Sequence, residues 1–308
     1  MCWDRTQDEE NKRSEQLLAK YPELKVVDNA EEMIRGGVQA VLCSSQAHRH
    51  YDDCKALIEN RIPLWISKPL APGYAWARRI LDLVEQYDAP VMSCSGRRFS
   101  QNYNTLFEAI ESGKIGTVVF AECFEPHGIE PGYWQDRKDA SGGLVVNFGV
   151  HVVDPIVKAF GTEVAQVYAL ASKTVVPNVD SEDTAIITIQ FASGVIAVGK
   201  VSGCYRFGQG KPVPTAGHFI VHGSEGALET YIDESDVKVY RGGSFGVTPT
   251  YEARGGTAGS IAAFAQMART ARRPVDIEQM DAVMRILDAA RRSIDTGSVV
   301  KFQTAISG

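Results

Sequence analysis

With 308 residues, 44% of them hydrophobic, the chain can bury a sizeable core and is long enough for two domains. Its formal charge of -6 excludes the basic face that phosphate neutralisation requires, so no nucleic-acid partner is expected. Asp4, Asp8, Glu9 and Glu10 precede no apolar run, and the most apolar stretch, 144–160, is interrupted by Asn147, His151, Asp154 and Lys158; neither a secretory signal nor a membrane span is expected, which makes a cytoplasmic location the default.

From residue 1 to about 95 the pattern alternates helix and strand. Glu9 to Tyr21 reads as a charged amphipathic helix, Leu24 to Val27 as a strand, and Ala30 to Arg35 as a helix capped by Asp28-Asn29 and ended by Gly36-Gly37. Ala40 to Cys43 is a buried strand, 48–60 a helix, Pro63 to Ser67 a strand, Tyr74 to Tyr87 a helix and Pro90 to Cys94 a strand. Strands separated by helices predict a parallel sheet covered by helices, an α/β architecture. Lys68 then stands at the carboxyl end of a buried strand, where open α/β sheets place their ligands, although a surface lysine in a turn would have the same pattern.

Beyond residue 95 the character changes. After a helix at Asn102 to Ser112 come alternating strands at Thr117 to Phe124, Val164 to Ser172, Asp183 to Phe191, Val195 to Gly203, His218 to Val221 and Ala227 to Tyr231, with Asp-Glu-Ser and Arg-Gly-Gly as turns. Helices at Ser260 to Ala271 and Ile277 to Asp295 precede a last strand at Val299 to Phe302. The expectation is a second, α+β domain with a large, mainly antiparallel sheet over 97–308, following an incomplete dinucleotide-binding domain over 1–96, with the closing helices free to pack back on the first domain.

Cys2, Cys43, Cys54, Cys94, Cys123 and Cys204 are scattered singly and read as reduced thiols rather than disulfides or a zinc site. His218 and His222 lie four apart in a segment of strand character, so a structural role is expected and no metal site.

Several short motifs together resemble the glucose-fructose oxidoreductase, inositol dehydrogenase and MocA family. Ser67-Lys68-Pro69-Leu70-Ala71 is similar to its Glu-Lys-Pro signature, and Arg98-Phe99, Gly113-Lys114-Ile115-Gly116, Gly142-Gly143 with Asn147-x-Gly149-x-His151-x-x-Asp154, Ser181-Glu182-Asp183 and Gly223-Ser224-Glu225-Gly226 follow in the family's order. The resemblance covers residues 1 to about 302. It implies a Rossmann domain followed by an α+β domain, an NAD or NADP cofactor, a sugar, cyclitol or related hydroxy compound as substrate, and a homo-oligomer formed through the open sheet. It maps catalytic roles onto Lys68, His151 and Asn147, with Lys68 stabilising alkoxide charge and His151 carrying the proton. It also implies cofactor contacts from Asp4, Arg5, Ser44, Ser45, His48 and Lys68. Arg98, Tyr133, Trp134 and Asp154 are candidate substrate contacts, with Arg97 beside Arg98 leaving the choice of arginine open.

Three departures bear on function. Asn147 stands where the family generally has Asp, which weakens or reroutes a proton relay through His151. Ser67 replaces Glu. The chain contains no Gly-x-Gly-x-x-Gly; Cys2-Trp3-Asp4-Arg5 instead resembles the end of the family's second strand, as if the sequence began roughly 30 residues late, by one strand and helix. The strand at Ala40 to Cys43 should then show an open hydrophobic edge, and NAD(H) should bind poorly or not at all. Three readings follow: a sugar or cyclitol dehydrogenase, a cofactor-less sugar-binding or regulatory subunit, or a non-redox isomerase or lyase using Lys68 and His151.

Overall fold

The computed structural model describes residues 2–3, 18–129, 133–174, 176, 178–204, 217–232, 234, 236–249 and 256–303. Two short strands, β1 (Cys2–Trp3) and β2 (Val26–Val27), pair in parallel. Helix α1 (Ala30–Arg35) follows, its first turn held by Asn29, whose side chain accepts from Glu32 N at 2.9 Å.

The first main sheet is parallel and three-stranded, in the order β3 (Val41–Cys43), β4 (Leu64–Ile66), β5 (Val91–Met92). Helices α2 (His50–Glu59) and α3 (Tyr74–Tyr87) connect these strands and pack on each other. Leu64 and Ile66, which share one face of β4, are fully buried, and Trp65 on the other face is half-buried with its ring centre 6.0 Å from that of Phe264. The register Cys43↔Ile66 sets the carboxyl ends of β3 and β4 side by side, so the segments that follow, Ser44-Ser45 and Ser67-Lys68, leave the sheet along one rim. On the other side of β3 no strand is paired among the described residues; Leu42, on the face opposite the buried Val41 and Cys43, is 53% exposed.

The second sheet has nine strands. Helix α4 (Gln101–Glu111) leads to β6 (Val118–Pro126), and α5 (Lys138–Ser141), α6 (Gly143–Asn147) and α7 (Val150–Phe160) lead to β7 (Val164–Ser172), β8 (Thr184–Phe191) and β9 (Ile196–Ser202). Then come β10 (His218–Gly223), β11 (Gly226–Tyr231), β12 (Asp236–Arg241) and β13 (Ser244–Pro249), helices α8 (Gly256–Thr270) and α9 (Ile277–Thr296), and β14 (Val300–Lys301). The order is β13-β12-β11-β10-β6-β9-β8-β7-β14, with β6 and β9 parallel and every other pair antiparallel. This is the α/β-then-α+β architecture that the sequence predicts. It differs by two further strands, β12 and β13, joined by the turn read at Arg241-Gly242-Gly243, whose glycines have φ of 56° and 76°.

Helices α4, α7 and α9 cover one face of this sheet. Helix α9 also reaches the first sheet's layer, where its Asp281 accepts from Tyr74 Oη and Arg78 Nη1, each at 3.0 Å. No single helix among the described residues is long and apolar enough to cross a membrane; the most apolar pair, Lys138–Asn147 and Val150–Phe160, bends by 51°.

Candidate active site

Lys68 leaves the end of β4 just after Ser67 N extends the ladder to Cys43 O at 2.8 Å, and the Lys68-Pro69 peptide is cis. The side chain crosses to the second layer. Its Nζ donates to Asn147 O at 3.0 Å and to Asn147 Oδ1 at 3.3 Å, and sits 5.0 Å from the centre of the Phe148 ring. A lysine can only donate, so these bonds fix the amide with Oδ1 toward Lys68. Asn147 Nδ2 is buried and makes no hydrogen bond among the described residues.

Gly149 makes this geometry possible. A Cβ there would lie 1.9 Å from Val145 O, so only glycine lets α6 break and α7 restart within three residues. The break sets Asn147 and His151 on either side of it, both near Lys68. His151 Nδ1 lies 2.9 Å from Ser95 Oγ, and its ring centre is 6.4 Å from that of His127, which meets the Phe148 ring edge-on at 4.0 Å. Arg97 donates to the buried Glu125 through Nη2 at 3.0 Å and Nε at 3.3 Å.

The electrostatics follow from crowding cations in a half-buried cleft. Burial pushes the Lys68 ammonium down from 10.5 to about 8, with the Glu125 carboxylate opposing. Burial, then Lys68 and Arg97, take His127 down to about 4. His151 falls well below the ordinary imidazole value, through burial first and then Lys68, Arg97 and His127.

Lys68 from one motif and Asn147 and His151 from another therefore meet in one cleft. Ser44 and Ser45 lie on the adjoining rim, and His48, on the turn at 47–49, is exposed, with its pKa lowered by burial first and then by Arg49. Asp4 and Arg5 lie outside the described residues. Tyr133 and Trp134 have ring centres 6.1 Å apart, on a turn that packs against α6.

Arg98 and Asp154 are corrected by the structure. Arg98 is 2% exposed, and its Nε and Nη2 grip Asp154 Oδ1 at 3.1 and 2.7 Å while Nη1 donates to Gln279 at 2.8 Å. Each spends its charge on the other inside the core, so neither is free to meet a substrate. Arg97 is the arginine beside the cleft.

Sequence reasoning missed Ser95, Glu125 and His127, which arrive from the ends of β5 and β6; a polar residue at or just past a strand end was their one signal. It also missed His50, fully buried, whose ring nitrogens lie 3.0 Å from Leu70 O and 2.9 Å from Ser45 O and so join the two loops of the rim. Among the described residues no cluster of three His, Cys, Asp or Glu side chains could hold a metal ion.

A model described as the oxidoreductase family with an NAD-binding Rossmann fold matches residues 6–94, and one described as the GFO/IDH/MocA C-terminal domain matches residues 103–229. The chain is 27% identical over 179 residues to an uncharacterized oxidoreductase of Schizosaccharomyces pombe, covering 56% of this chain and 48% of that protein. It is 26% identical over 190 residues to a myo-inositol 2-dehydrogenase of Thermotoga maritima, covering 60% of this chain and 56% of that one. The matches thus span about half the length of these curated relatives. The fold is similar to that of levoglucosan dehydrogenase, solved in complex with NADH and levoglucosan, with a TM-score of 0.81 at 19% identity over 94% of this chain and 87% of the other.

Proposed function

The chain belongs to the GFO/IDH/MocA oxidoreductase family, and from that membership we propose that the Lys68–Asn147–His151 cleft acts on a hydroxyl-bearing carbon of a sugar, cyclitol or similar compound, with a nicotinamide nucleotide as hydride partner. A nicotinamide supplies the hydride acceptor or donor when bound. The chain's own residues handle the proton and the charge on the substrate oxygen.

The observation that carries this reading is the Lys68 Nζ contact with both oxygens of Asn147. A neutral amine has two hydrogens, enough for both bonds, and one lone pair left to accept a hydroxyl proton. As the ammonium it returns that proton and stabilises an alkoxide. With its pKa at about 8, both forms are accessible near neutrality. Asn147 is neutral, so no carboxylate at that position holds the proton on Lys68.

The described residues fit one end of a dinucleotide. Ser44, Ser45, Ser67 and Lys68 line the carboxyl rim of the parallel sheet, where such folds bind ligands. No Gly-x-Gly-x-x-Gly occurs in the 308 residues to cradle a pyrophosphate, and the outer edge of β3 has no strand paired to it among the described residues. The 308-residue chain is therefore expected to bind NAD(H) and NADP(H) weakly, and calorimetry giving a micromolar dissociation constant for either would contradict this.

The function itself is tested by turnover. At saturating cofactor, polyols and their carbonyl counterparts should be interconverted, and Lys68→Ala should lower kcat by about 100-fold or more, the scale of a lost proton-handling group. Polyol binding without hydride transfer at any cofactor concentration, or a Lys68→Ala chain with undiminished kcat, would defeat the reading.

A further inference from the structure

Ser95 is fully buried, and its hydroxyl has two neighbours: Arg97 N donates to Oγ at 3.2 Å, and His151 Nδ1 lies 2.9 Å away. A backbone N–H can only donate, so it takes a lone pair of Oγ, and the hydroxyl hydrogen has one acceptor left among the described residues, His151 Nδ1. Were Nδ1 protonated, Oγ would accept from it with its second lone pair and the buried hydroxyl hydrogen would have no acceptor among the described residues, so the pairing favours Nδ1 as the unprotonated nitrogen. The ring's single proton lies on Nε2, which makes no hydrogen bond among the described residues.

The serine is itself held firmly. Ser95 N donates to Asp154 Oδ2 at 3.1 Å, and the same carboxylate is clamped by Arg98. The buried Arg98–Asp154 pair thus gains a use: it fixes the loop after β5 that presents Ser95 to His151. Lys68 from the end of β4, Arg97 from the turn after β5 and His127 from the end of β6 surround the ring, and each opposes a second proton on it.

We infer that Ser95 is a positioning residue that holds His151 as the Nε2–H tautomer, and so as a neutral hydrogen-bond donor to the substrate oxygen rather than as its base. This rests on the reading of the Lys68–His151 cleft as the reacting site. A ring whose Nδ1 is occupied and whose Nε2 carries hydrogen has no lone pair to offer a substrate hydroxyl. The proton then falls to Lys68, and His151 polarises the oxygen in the manner of an oxyanion-hole donor. No carboxylate at position 147 is needed to support an imidazolium that does not form.

The test is long-range proton–nitrogen correlation spectroscopy on the full chain labelled with nitrogen-15 in histidine, recorded above pH 7 without substrate or cofactor. The His151 signals are identified by their loss in His151→Gln. The wild-type ring should show the pattern of a single Nε2–H tautomer, Ser95→Ala should shift it to a mixture of the two tautomers, and Ser95→Thr, which keeps the hydroxyl, should restore it. A wild-type ring in the Nδ1–H form would overturn the inference even if neither variant folds, and so would a Ser95→Ala spectrum with the tautomer unchanged. The readout needs no turnover, so its failure is distinct from a failure of the proposed reaction, which Lys68→Ala tests.

Discussion

Lys68 carries an ammonium into a half-buried cleft where no carboxylate among the described residues is bonded to it, and its depressed pKa makes that a pH-dependent cost. Between about 8 and 10.5 the folded chain holds Lys68 neutral while the unfolded chain keeps it protonated. The unfolded state then binds more protons, so stability rises with pH across that window. Below 8 both states are protonated and the cost is constant. Lys68→Met has no such group. Its unfolding free energy, measured in urea from pH 7 to pH 10.5 and compared with wild type, should differ by an amount that moves in favour of wild type as pH rises, by something on the order of 3 kcal/mol at most. A difference that stays flat across the window would mean that the Lys68 pKa is not depressed.

At the scale of elements, the site depends on the break between α6 and α7. Gly149→Ala would drive a methyl into Val145 O and Leu287 Cδ2, at 1.9 and 2.9 Å. Since a backbone carbonyl cannot step aside as a flexible side chain can, destabilisation of more than about 2 kcal/mol is expected in urea unfolding. Gly73→Ala is the control: nothing lies within 4 Å of its added Cβ and its φ of -167° is extended, so a change under about 1 kcal/mol is expected. Equal losses in the two variants would remove Gly149 from its place in the site. The glycine spacing in Asn147-x-Gly149-x-His151 was legible in the sequence because this break is local. So were α1 and α3, whose limits follow caps and turns in adjacent residues. Ser95, Glu125 and His127 were not legible, because they reach the cleft from strand ends far apart in the chain. Arg97 and Arg98 are neighbours with opposite fates, decided by which way a short turn at 96–99 faces them. Strand β13 was lost because Gly246 and Pro249 interrupt it, and without a partner β12 is too short a run to stand out.

At the scale of the whole molecule, the nine-stranded sheet has helices on one face, and the alternation of its strands shows what the other face presents. One cross-strand row runs Leu170, Ile186, Lys200, Phe124, His218, Tyr231. Leu170 and Ile186 are 58% and 43% exposed, and Ile196, on the face of Lys200, adds to the same open surface. Charges near the middle are already satisfied within the chain, since Glu122 accepts from Lys200 at 3.2 Å and from His218 at 2.9 Å. An apolar, aromatic face with an internally neutralised centre suits a second copy of the same surface, because a two-fold contact sets like residues against each other and unpaired charge there would repel. We therefore propose that this face joins two copies of the chain. Sedimentation equilibrium should give a mass near twice 33.6 kDa. Leu170→Lys combined with Ile186→Lys places like charges directly opposite each other across β7 and β8 and should shift the mass to that of one chain. The far-ultraviolet spectrum should be preserved, since both side chains point away from the core. A wild-type chain that stays monomeric at every concentration, or a double variant that stays dimeric, would move the interface elsewhere. Lys68 lies in the layer beyond the helix-covered face, so dissociation should leave the nuclear magnetic resonance signature of His151 unchanged.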